Sequence, residues 1–127
     1  MSKQALKLVA DGMKSLGLAY EFGGFSGEPI GGQYWVGEYT ETESMVESGY
    51  QEATFLLTGF SRSSWLALED SKEKIECYFN RISGKTVIAD NGSAVAIFYA
   101  NALIVPTGDA ELKRMQINLS IKEWKVN

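Results

Sequence analysis

The sequence predicts an α+β fold, an antiparallel sheet of long hairpins packed on two helices in the order α-β-β-β-α-β-β-β. Three observations carry that prediction. Residues 63–82 space Trp65, Leu68, Ile75, Phe79 and Ile82 three, four or seven apart, with Glu69, Lys72, Glu73, Lys74 and Glu76 between them. Residues 114–122 keep a period of two instead, with Met115, Ile117, Leu119 and Ile121 on one side and Arg114, Gln116, Asn118, Ser120 and Lys122 on the other. The remaining β-prone runs follow one another without the regular strand–helix alternation of a parallel sheet.

Residues 3–16 form the first helix, apolar along Leu6, Val9, Met13 and Leu16, and Gly17 stands where a left-handed C-cap belongs. Gly12 is a weak helix former inside it. Residues 18–22 make a short strand, and the next ten, GGFSGEPIGG, are a loop whose large apolar anchors are Phe25 and Ile30. Two strands follow, residues 34–40 and 51–60, the second placing Ala53, Phe55 and Leu57 on one face. They are joined by a long acidic hairpin. Ser63 or Ser64 caps the central helix, Glu69 and Lys72 support it three apart, and Gly84 marks a break before the strand at residues 86–89. Asp90-Asn91-Gly92 is then a tight turn. A terminal hairpin of residues 94–105 and the alternating last strand, with Trp124 on its polar side, completes one domain of 127 residues.

Composition narrows the chemistry. The chain has one cysteine, Cys77, and no histidine, so it can form no internal disulfide, no ordinary His/Cys zinc site and no Ser-His-Asp or Cys-His catalytic group. Residues 1–61 hold three Lys and eight acids, a balance of −5, and residues 62–127 hold nine basic and eight acidic residues, a balance of +1. An acidic chain with no basic patch does not grip phosphates, though it can line a passage through which nucleic acid moves without sticking. No run is long and apolar enough to span a bilayer, and the start of the chain lacks an export signal, so the reading is a soluble, unexported protein.

Each constellation has a plain alternative. The glycine-rich loop feeds a strand rather than a helix and contains no Lys, so it reads as a flexible connection or an arm that orders on assembly, not a phosphate cradle. Glu38, Glu41, Glu43, Glu47 and Glu52 crowd the 40–52 hairpin, but the stepped Asp and Asn ligands of a hard-cation loop are missing. That hairpin is therefore solvated or partner-facing. Its candidate contact residues are Glu41, Glu43, Met45, Val46, Glu47 and Tyr50, and Asp109, Glu111, Lys113 and Arg114 beside the terminal turn form a second candidate surface. Cys77 falls beside core positions of the central helix, where a buried, inert thiol is expected. Tyr34, Trp35, Tyr39, Phe98 and Tyr99 lack interleaved Arg or Lys, which favours packing over base stacking. No catalytic residue and no cofactor or metal site emerges.

The order of elements, the Tyr-Trp-Val-Gly-Glu run from Tyr34 to Glu38, the return strand ending LTGFSR at Arg62, and the terminal RMQINLSIKEW from Arg114 to Trp124 resemble the tail terminator, or tail completion, proteins of long-tailed bacteriophages and prophages. Family members often have a proline just before the aromatic strand; here Gln33 takes that place, with Pro29 further back. The resemblance implies a non-enzymatic virion protein that assembles in the host cytoplasm and closes into a hexameric ring on the head-proximal end of the tail tube. It ends tube growth there and meets a head-completion or connector protein. The implied partners are copies of itself, the tail-tube protein and that connector, with no specific nucleic-acid binding and no membrane. A hairpin facing the ring's lumen would repel passing DNA. A head–tail connector or tube subunit shares these features, and a small ligand-binding domain, with residues 23–32 as a lid, is the reading from another class.

Overall fold

The computed structural model describes residues 1–41 and 49–126. The chain runs α1 (Lys3–Ser15), β1 (Tyr20–Phe22), β2 (Gln33–Glu41), β3 (Tyr50–Ser61), α2 (Trp65–Tyr78), β4 (Lys85–Ile88), β5 (Ala94–Ile104) and β6 (Lys113–Trp124). The strands form one six-stranded sheet in the order β1-β2-β3-β6-β5-β4. The expected α+β class and order of elements are present.

Both helices lie on one face of the sheet. Alternation along the strands sends Trp35, Phe55, Leu57, Ile97, Met115, Ile117, Leu119 and Ile121 to that face, where all are fully buried or nearly so. Ala5, Val9 and Met13 of α1 and Leu68 and Ile75 of α2, with Phe79 at its C-cap, meet them. Each fully buried large side chain contributes about 1.5–3 kcal/mol, so this single layer of contacts carries the fold. The opposite face carries Tyr34, Leu56, Thr58, Phe60, Gln116 and Asn118 and, among the described residues, no helix.

Local chemistry sets the helix ends. Ser2 and Ser64 adopt extended backbone and accept from the amides of Ala5 and Ala67, each at 3.1 Å, capping α1 and α2. At the far end of α1, Gly17 takes a φ of 73°, and the amides of Gly17 and Leu18 donate to Lys14 and Met13, the bonding of a Schellman cap. Gly12 has a packing role. A Cβ there would lie 2.7 Å from the Tyr78 ring and 2.9 Å from the Phe79 ring, so its bare backbone is what lets α1 approach α2.

Three expectations need correction. The central helix stops at Tyr78, because the Asn80 side chain accepts from the amides of Ile82 and Ser83 at 2.8 and 3.1 Å and opens a turn; Ile82 is then 89% exposed and no part of the apolar stripe. Cys77 is exposed rather than buried, since the buried stripe of α2 runs through Leu68, Ser71 and Ile75 to Phe79. Third, β1 is parallel to β2, the one parallel pairing among the described residues. The ten-residue glycine loop is long enough to carry the chain back across the helix-free face, where Phe25 stacks on Tyr34 with ring centroids 4.7 Å apart. Phe25 is thus a true anchor, while Ile30 is 53% exposed.

Candidate assembly surfaces

The base of the acidic hairpin is tied to the start of the chain. The Met1 ammonium donates to the Glu41 carboxylate, and this hydrogen bond, with the charge behind it, holds the Glu41 carboxyl below its usual range. Beside it Tyr50 donates its hydroxyl to Glu52 and packs on the Trp124 ring at 5.3 Å. Of the candidate residues here, Glu41 and Tyr50 are thus brought together with the N-terminus and the end of β6. Glu43, Met45, Val46 and Glu47 lie outside the described residues.

Glu123, missed by reading the sequence, completes this end of the molecule. It is 2% exposed, and its carboxylate accepts from the Ser2 amide at 3.2 Å and from the Ser2 hydroxyl. A negative charge at the amino end of α1 is favourable, because the first amides of a helix have no internal partners. The signal was faint: Glu123 falls on the apolar side of the β6 alternation, in step with Ile121.

The second candidate surface sits at the opposite end of the sheet. Asp109 accepts from the Glu111 amide at 2.9 Å and pairs with Arg62 at 3.3 Å, and the backbone bond first, then the guanidinium, lower its carboxyl's pKa. Lys113 and Arg114 are not on the loop but open β6, opposite Ser61 and Phe60 of β3. Arg114 donates to the Pro106 carbonyl at 3.2 Å, and among the described residues its Nε has no hydrogen-bond partner. The apolar residues Trp65, Leu66, Leu103 and Ile104 are exposed around this end.

Chemistry of other kinds finds little here. Among the described residues no group of three or more His, Cys, Asp or Glu could hold a metal ion, and no helix is long and apolar enough to cross a membrane. An open groove beside α2 is lined by Leu16, Cys77, Tyr78 and Lys85, with the Lys85 ammonium 4.4 Å from the Tyr78 ring centre. Trp35 and Tyr99 are buried, whereas Tyr34 and Phe98 lie on the helix-free face and Tyr39 stacks on Phe22 at 6.0 Å. The aromatic residues are divided between faces and form no common platform.

The architecture has a solved counterpart. It is similar to a chain in the structure described as the virion of the native gene transfer agent (GTA) particle, with a TM-score of 0.66 over 96% of this chain and 90% of that one. The two share a fold. Their sequences are 12% identical, and neither a family model nor a curated protein matches this chain.

Proposed function

We propose that this chain is a structural, non-enzymatic virion protein that closes into a ring on the end of a tail tube, stops its growth and presents the surface that the head meets. The observation that carries the reading is the fold likeness to a virion chain along almost the whole length of both. The finer role as tail terminator rests on the order of elements and the Tyr34–Glu38 and Arg114–Trp124 runs. Physical chemistry supports it as well. A ring requires two different, complementary surfaces on each copy, and among the described residues this fold offers a sheet open at both lateral edges with one face that carries no helix. On this reading the partners are five further copies, the tail-tube protein and a head-completion or connector protein, and the place of action is the virion tail after assembly in the host cytoplasm.

Deleting the coding sequence from its phage or prophage tests the role. The expected result is tails of uncontrolled length without heads. Tails of normal length lacking only heads would indicate a connector, absence of tails a tube subunit, and unchanged particles would contradict a virion role.

A further inference from the structure

The two outermost strands are short and stand at different heights, which leaves a step at one edge of the sheet. β4 pairs with β5 only from Ala94 to Ile97, so among the described residues the outer side of β5 from Ala102 to Ile104 has no strand beside it. At the other edge β1 is three residues long and its outer side is likewise unpaired. Following the register across the sheet, Tyr20 is level with Trp35, Gly59, Met115 and Ile104; Phe22 is level with Gly37, Leu57, Ile117 and Ala102. The unpaired strand and the unpaired stretch are therefore three residues each and at one height.

We infer that β1 of one copy pairs with the free edge of β5 in the next, antiparallel, with Tyr20 opposite Ile104, Glu21 opposite Leu103 and Phe22 opposite Ala102. This rests on the self-assembly in the proposed function and names its contact. Facing agrees throughout: Tyr20, Phe22, Ala102 and Ile104 belong to the helix side of the sheet, Glu21 and Leu103 to the other. Apolar surface agrees too, since Phe22 and Ile104, 47% and 59% exposed, become diagonal neighbours on the helix side and would cover one another. The entering side is acidic, with four Glu and no Lys or Arg in residues 18–41, and the receiving side holds the Glu69–Lys72 ion pair beside Leu103 and Ile104. The contact joins two different edges, so each added copy offers a fresh edge for the next, as a ring demands.

Disulfide trapping tests the register. In a Cys77→Ser background, Glu21→Cys with Leu103→Cys puts two thiols on one face of the new pairing, whereas Glu21→Cys with Ala102→Cys puts them on opposite faces. Both the concentrated purified protein and isolated particles would be oxidised and run under denaturing, non-reducing conditions, after checking that each variant melts like its parent. The first pair should yield a ladder of multimers in at least one preparation and the second pair none. Equal ladders from both, or a ladder from neither, would overturn the inference. A ladder from protein that never appears on tails would uphold the pairing and remove the tail role; a tail-end location without a ladder would do the reverse.

Discussion

Ser71 of α2 donates its hydroxyl to the side-chain oxygen of Gln33 at 2.8 Å, and both residues are buried. The same oxygen accepts from Trp35 Nε1 at 2.9 Å, while Gln33 Nε2 donates to the Ala67 carbonyl at 3.2 Å. One amide thus fastens the middle of α2 to the start of β2 and satisfies the indole of a fully buried tryptophan.

Replacing Gln33 with Leu leaves the Trp35 and Ser71 donors buried without an acceptor. Unsatisfied buried groups cost about 1–3 kcal/mol each, so the variant should lose about 2–6 kcal/mol, measured by denaturant unfolding. Gln33→Pro should be no milder, because the Gln33 amide also donates to the Ile30 carbonyl at 3.2 Å. A loss below half a kcal/mol in both would show that the node does not hold the helix.

At an exposed helical site Gly→Ala gains about 1 kcal/mol, but Gly12→Ala should invert that sign. The added methyl meets the Tyr78 and Phe79 rings, and Phe79 is fully buried. Overpacking of this kind costs about 1–3 kcal/mol, visible as a lower melting temperature. A higher one would mean that the helices part without penalty.

Alkaline pH should weaken the fold through its tyrosines. Burial raises the phenol pKa of Tyr20 above the ordinary 10.0, and that of Tyr99 shifts the same way for the same first reason. The folded state then holds its proton where the unfolded chain releases it. Stability from this source is complete below pH 10 and declines as pH rises beyond it. Tyr20→Phe should flatten the fall in melting temperature above pH 10, and an unchanged slope would count against the assignment.

Period-two alternation made much of this fold readable. The buried face of β6 and the Ala53, Phe55, Leu57 face of β3 follow directly from the sequence, because a strand covered on one side must alternate. Helix propensity and charge likewise marked α2, whose Lys72 lies 3.5 Å from Glu69. What sequence spacing did not reveal depends on distant partners. Cys77 reads as buried because it lies beside core positions, and is exposed because the buried stripe passes through Ile75 and Phe79, two residues away on either side. Gly12 reads as a defect until α2 is beside it, and Gln33 reads as a lost proline until Ser71 and Trp35 surround it. Of the two candidate surfaces, Glu41 and Asp109 carry ion pairs within the chain, which local spacing cannot disclose. The step between β1 and β5 is a property of the whole sheet's register and has no local signature at all.

A protein that ends a tail tube, the role proposed for this chain, is found at one end of it, so position on particles is decisive. A small tag on the chain, labelled and viewed by electron microscopy on isolated tails and complete particles, should mark one position at the head-proximal end of each tail. Label spread along the tube, or particles bearing none, would contradict the account.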